Sequence, residues 1–218
     1  LGLTILISFV FGKIFNSPIK EYAPYIFSGV ILWEFIVSCT VGGSLSFVQA
    51  DAYIKQFRHP LAIYTLRNAI GNLIIFLVAS LGLFLWVILA FPQNVNLSWI
   101  SLPLVPIFLL FLGWPLATCL AFIATKFRDL PHALGLILQA VWFVSPIYFE
   151  EKVFQRGLSF LIDYNPIYHI LQLVRAPLLY GDFPTLVNYS YVMLTIGFFS
   201  LVAIYLGYRN ENKIIYYL

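Results

Sequence analysis

An all-α, polytopic membrane fold is what this sequence predicts, on three observations. Hydrophobic residues make up 61% of the 218 residues and charged residues only 10%, where a soluble domain carries about 25% charge. The mean hydropathy is +0.92, so the chain lacks the polar surface to coat a water-facing globule. The charges also fall in short clusters, and the apolar runs between them approach or exceed the ~20 residues a helix needs to cross a bilayer.

Six spans follow from run length, bounded by Pro, Gly and charge. The first, about residues 1–15, ends at Lys13 and the Asn16-Ser17-Pro18 turn. The sequence begins Leu-Gly without an initiator Met, so the native N-terminus is expected to be missing from it. The second span covers about 25–47, after Pro24, and a polar link holding Asp51, Lys55, Arg58 and His59 follows it. The third, about 61–91, keeps Arg67 and Asn68 near the headgroups and stops at Pro92. The fourth, about 100–125, contains Pro103, Pro106 and Pro115, which a membrane helix tolerates where neighbours satisfy the freed carbonyls. Lys126-Phe127-Arg128-Asp129 closes it, and the fifth and sixth spans cover about 132–149 and 187–208. The stretch at about 150–180 is mixed, with Pro166, Pro177 and two apolar bursts. Bursts of that length are interfacial or re-entrant rather than spanning. They read as two short helices lying at, or dipping into, the outer face. Residues 1–218 thus form a single transmembrane domain.

Orientation follows from the basic residues. Lys55, Arg58, Lys126, Arg128, Arg209 and Lys213 fall on one side of the six spans, which the positive-inside rule makes cytoplasmic. The net charge of +3 is small and scattered, so no nucleic-acid partner is expected.

The residues offer little for catalysis. Gly12-Lys13 continues into Ile14 rather than Ser or Thr, and no H-E-x-x-H, G-x-S-x-G or Cys/His cluster occurs. No catalytic residue, metal site or cofactor is expected in this chain, and ATP-driven work would need a separate subunit. Cys39 and Cys119 lie inside apolar runs and read as packed thiols.

Three features are candidates for function. Glu34 sits well inside the second span, where an unpaired carboxylate is costly. Glu34, Ser38, Gly42 and Ser46 recur at four-residue spacing, which is either a close-packing stripe of small residues or the hydrophilic wall of a conduit. Aromatic residues, Tyr148 and Tyr168 among them, crowd the predicted outer side. They form either an interfacial belt or a surface on which sugar rings pack. The link Tyr53-Ile54-Lys55-Gln56-Phe57-Arg58 is short, basic and aromatic, either a solvated loop or an amphipathic helix offered to a cytoplasmic partner.

Several segments together resemble the permease subunit of bacterial type-2 ABC transporters that export O-antigen, teichoic acid or capsule polysaccharides. They are Val10–Phe15, Pro24–Gly29 with Leu32-Trp33-Glu34-Phe35, Tyr53–Pro60, Phe127–His132, Ser145-Pro146-Ile147-Tyr148, and Asn165–His169 with Arg175, in family order along the chain. The resemblance implies a six-span type-2 ABC exporter transmembrane domain, working as a homodimer with two copies of an ATP-binding cassette subunit that binds ATP and Mg. It implies an undecaprenyl-diphosphate-linked glycan as substrate and a multi-pass location in the bacterial cytoplasmic (inner) membrane, among its lipids. It further implies that Tyr53, Ile54, Lys55, Phe57 and Arg58 belong to a helix coupling the chain to its ATP-binding partner. Glu34, Ser38, Gly42, Ser46, Tyr148 and Tyr168 would line the path. Other readings of the residues are a type-2 permease for a small hydrophobic drug or lipid, an ion-coupled secondary transporter and a glycan-lipid transferase. The last two lack, respectively, the several buried carboxylates and the clustered catalytic groups they need.

Overall fold

The computed structural model describes residues 19–56, 59–149, 151, 157, 160–210 and 214, with side chains from Tyr22 onward. The expected first span lies outside these residues. The described elements are helical, with no strand among them. α1 (Ile19–Val37) carries Pro24 inside its second turn, where the missing N–H removes one bond of the helical ladder near its start. It widens into a π-turn at Ser38–Gly42, and the hydroxyls of Thr40 and Ser44 donate to the carbonyls of Ile36 and Val41 at 2.6 Å each. Such side-chain bonds compete with the helical ladder and loosen it. The second span therefore does not continue as one helix to residue 47. The chain turns at Leu45 into two short helices, α2 (Ser46–Gln49) and α3 (Asp51–Gln56).

α4 (Ala62–Ala90) has 29 residues, about 44 Å of helix and more than a ~30 Å hydrocarbon core requires. Two 3₁₀ turns, Pro92–Asn94 and Leu97–Ser101, lead to α5 (Leu104–Ala124). α6 (Leu130–Val144) follows with 15 residues. It is shorter than the expected 132–149 span because Pro146 cannot extend it and the chain turns at Ser145. α7 (Phe160–Asp163) and α8 (Pro166–Arg175) are the short helices of the mixed stretch. A second π-turn, Ala176–Tyr180, ends at Gly181, whose φ of 75° suits a residue without Cβ. α9 (Leu186–Asn210) closes the described chain. Among the described residues four stretches are long and apolar enough to cross a membrane: Tyr22–Gly42, Ala62–Ala90, Leu97–Ala124 and Leu186–Asn210. α4 and α9 leave large apolar side chains uncovered, with Leu89 83% and Leu201 71% exposed, surfaces suited to lipid rather than water.

The chain divides into two compact units. One comprises Leu1–Glu34, Phe76–Val105 and Trp142–Val192. Tyr22, Tyr25 and Ile26 form its described core with Val30, Tyr148 and Leu179 packed around them. Asn94 and Asn96 donate to the carbonyls of Leu179 and Gly181, both at 2.7 Å, tying the 3₁₀ turns to the second π-turn.

The other unit comprises Phe35–Ile75, Pro106–Val141 and Met193–Leu218. Here Phe47 meets Phe122 edge-on at 5.0 Å, the Thr65 and Thr118 hydroxyls share a hydrogen bond of 2.7 Å, and the Trp114 indole N–H donates to the Ala62 carbonyl at 3.1 Å. Cys39 and Cys119 are buried free thiols. The close helix approach is made by Gly43, not by the Gly42 of the expected stripe. A Cβ on Gly43 would lie 2.6 Å from that of Ala117, whereas one on Gly42 meets Asn68 at 3.4 Å. Gly43→Ala should therefore cost ~1–3 kcal/mol by overpacking. Gly71→Ala, with nothing within 4 Å of its added Cβ, should gain about 0.5–1 kcal/mol of helix stability. Unfolding of the two variants in detergent checks these opposite signs.

Candidate functional site

The end of the chain's first described span leads into α3, whose six residues divide cleanly. Ile54 is 6% exposed and sits in a core cluster with Phe47, Ala50, Leu61, Ala121, Phe122 and Ile214. Tyr53 is 62% exposed, and Lys55 and Gln56 also face outward. Lys55 pairs with Asp51 one turn earlier at 2.9 Å, an exposed contact that contributes little to stability. The expectation that Ile54 is offered to a partner is thus corrected: its side chain is spent anchoring α3 to its own subunit. Phe57 and Arg58 lie outside the described residues. The start of α3 also borders a cleft of about 250 Å³ whose lining includes Val48, Asp51 and Arg128. Phe127, beside it in the sequence, is 65% exposed. Sequence reasoning had assigned neither Val48 nor Phe127 to this face.

The proposed lining residues do not share one face. Glu34 is exposed, Ser38 and Gly42 are half-buried, and Ser46 is buried with its hydroxyl unpartnered. The π-turn and the break at Leu45 shift the register, so four-residue spacing no longer keeps the set in line. Glu34 does lie within electrostatic range of Tyr148. Between Trp33 and Tyr148 stands Trp142, edge-on to both at 5.2 and 4.8 Å.

The residue that organises this unit is Arg175, the last of α8. Its side chain is 0% exposed. Nη1 donates to the Pro146 carbonyl at 2.6 Å, Nη2 to those of Tyr25 and Ile147 at 3.1 Å each, and Nε to Ser28 Oγ at 3.3 Å. The guanidinium also lies 3.6 Å from the centroid of the Tyr25 ring. Among the described residues no carboxylate is within ion-pair distance of it. Removing a charge from water costs several kcal/mol, and here neutral oxygens and a π face compensate it. Gly29 makes room, since a Cβ there would fall 2.8 Å from Nη2. In the sequence Arg175 was legible only as one of the residues that carry the family resemblance, with no role attached to it.

Around this anchor the mixed stretch is built from local chemistry. Asn165 caps α8, accepting from the Ile167 N–H at 2.9 Å while its amide donates to Ser145 Oγ at 3.0 Å. The hydroxyls of Tyr22 and Tyr25 donate to the carbonyls of Tyr148 and Phe149 at 2.6 and 2.9 Å. His169, buried, stacks on Tyr191 at 4.0 Å, with Nδ1 facing Asn188 and Nε2 facing the Asp163 carbonyl. Glu151 receives the Tyr168 hydroxyl at 3.2 Å and the Gln172 amide. The result is a carboxylate, an amide and a phenol side by side.

Burial, and then the Glu151 carboxylate, push the Tyr168 phenol up to about 12. An acid whose folded pKa is raised contributes stability below its unfolded value, ~10 for Tyr. That contribution is lost as pH climbs through the folded value. Wild-type protein should lose more stability between pH ~10 and ~12 than Tyr168→Phe, and Glu151→Gln should lower the Tyr168 titration. Phenolate absorbance, taken as the difference from Tyr168→Phe, reads both.

Apolar stretches long enough to cross a bilayer, with a short helix on one connection and a hydrogen-bonded helical insert on another, mark a multi-pass membrane protein. The chain belongs to the ABC-2 type transporter family, whose model matches residues 1–179. It is similar to two O-antigen export system permease proteins RfbA of Klebsiella pneumoniae. One is 22% identical over 211 residues, covering 95% of this chain and 78% of the relative. The other is 22% identical over 207 residues, covering 94% and 78%. An O-antigen export system permease protein RfbA of Myxococcus xanthus is 23% identical over 169 residues, covering 77% and 65%.

Proposed function

We propose that this chain is the membrane subunit of an ATP-driven exporter that moves a lipid-diphosphate-linked polysaccharide of the O-antigen, teichoic acid or capsule type across the bacterial cytoplasmic membrane. The observation that carries the reading is the division of α3, with Ile54 seated in the subunit's own core and Tyr53, Lys55 and Gln56 turned outward. That is the build of a lever: a short helix fixed to the spans on one face and free to be pushed on the other. In this reading two copies of the chain pair, and two copies of a separate ATP-binding subunit, which bind ATP and Mg, dock on α3 and the neighbouring Phe127 turn. In this reading the chain has six spans, as the apolar runs of the sequence suggest.

In this reading the 151–180 stretch lies at the outer face of the membrane, as its mixed composition suggested. There Tyr168, Glu151 and Gln172 supply the ring and hydrogen-bonding groups that sugar hydroxyls and C–H faces use. Glu34 and Tyr148 would border the path below them. The O-antigen export names of the similar proteins support the glycan class of cargo. The test is reconstitution with the ATP-binding subunit in vesicles carrying a fluorescent undecaprenyl-diphosphate oligosaccharide. Movement should require both subunits and ATP. Passage by this chain without nucleotide would overturn the reading.

A further inference from the structure

The cleft of about 250 Å³ at the start of α3 has two unlike walls. Leu45, Val48 and Asp51 line it from the α2–α3 side, and Thr125, Arg128 and Pro131 from the turn between α5 and α6. Apolar surface is left open there, with Val48 47% exposed. The two charges are opposite in sign and do not meet. Asp51 is held by Lys55 of its own helix at 2.9 Å, an exposed pair of the weakly stabilising kind. Arg128 is exposed, and among the described residues its side chain has no ion-pair or hydrogen-bond partner.

The backbone lets one wall move. α2 has four residues and α3 six. The residues on either side of α2, Leu45 and Ala50, sit in the bridge region, at φ −86°, ψ −4° and at φ −97°, ψ 8°. Such element-terminal residues absorb the dihedral changes of a hinge. The inner side is fixed, because Phe47 and Ile54 are held in the core with Ala121 and Phe122 of α5. A rotation about that anchored side would carry Val48 and Asp51 toward Pro131 and Arg128 while the anchor stays packed.

We propose that this cleft is a jaw closed by an ion-pair switch, in which Asp51 exchanges Lys55 for Arg128 when the ATP-binding subunit presses on α3. The switch rests on the reading of α3 as the coupling helix and adds how a push on it reaches the spans. Closure replaces an exposed ammonium contact with a guanidinium fork that matches a carboxylate in geometry. It also takes Val48 out of water against Pro131. Both effects are modest, as a switch requires, since the two states must lie close in free energy for a partner to choose between them. Lys55 is the competitor that holds the jaw open at rest.

Val48→Cys reports the state of the jaw, because the chain's own thiols, Cys39 and Cys119, are buried. Its labelling by a water-soluble thiol reagent is timed in the complex with the ATP-binding subunit, first without nucleotide and then with a non-hydrolysable ATP analogue. The analogue should slow labelling about ten-fold, as a shift to roughly nine-tenths closed gives. Asp51→Arg or Arg128→Asp alone should abolish that slowing, and the two together should restore it. Lys55→Gln should slow labelling before any nucleotide is added. An unchanged rate with the analogue, in a complex that assembles and hydrolyses ATP, would overturn the jaw and leave the docking reading standing. So would slowing that persists in both single reversals, which would assign the protection to shielding by the partner. Failure of the two subunits to associate would overturn both readings.

Discussion

Replacing Arg175 by alanine should be among the most damaging single changes in the described chain, lowering stability by ~3–5 kcal/mol. The substitution removes all four hydrogen bonds of the guanidinium at once and leaves the carbonyls of Tyr25, Pro146 and Ile147 without the donor they face. A hydrogen bond to a charged group contributes ~1.5–3 kcal/mol, and each buried acceptor left bare costs ~1–3 kcal/mol. Local rearrangement and water penetration recover part of that total. In a protein of this size the loss should appear as a melting shift of about 6–20 °C. Arg175→Lys keeps the charge but not the planar fork, so it should rescue only part of the stability. Gly29→Ala pushes on Nη2 from the other side and should act as a weaker copy. If Arg175→Ala melts like wild type, the hub is not what holds α8 to α1.

The second large effect is a contrast between adjacent residues. Ile54→Ala should cost about 2–4 kcal/mol, because it empties a core position among Phe47, Leu61 and Phe122. Tyr53→Ala removes a side chain that is 62% exposed and should stay within ~0.5 kcal/mol of wild type. Under the proposed function the order reverses in kind once the ATP-binding subunit is bound. Tyr53→Ala should leave ATP hydrolysis running while export falls several-fold, and Ile54→Ala should reduce both together with the protein level. Hydrolysis and vesicle transport measured on the same preparation decide it. Undiminished export by Tyr53→Ala would remove α3 from the coupling role.

Much of the helical layout was legible from run length. The long apolar stretch beginning at Leu61 has one outcome in a medium that cannot solvate bare peptide groups, an uninterrupted helix, and α4 is that helix. The mixed composition around Pro166 and Pro177 likewise pointed to short helices, where α7 and α8 stand. The Glu34–Ser46 stripe was not legible. Its spacing assumed a constant helical turn, and Ser38–Gly42 inserts a wider one. The close-packed glycine was displaced by one position for the same reason. α6 stopped short because Pro146 ends it, although the apolar pattern runs on.

Composition and periodicity by themselves determined that this protein is a set of apolar helices for a bilayer, and which connections carry positive charge, because both follow from the solvation of side chains one at a time. Which polar groups face one another was decided only by tertiary structure. Arg175 in its ring of carbonyls, Ile54 turned inward and Tyr53 outward, and Tyr168 beside Glu151 each depend on residues distant in the chain. In a low-dielectric interior a buried polar group is stable only with its partners in place, and partnership is a property of the folded arrangement rather than of the string.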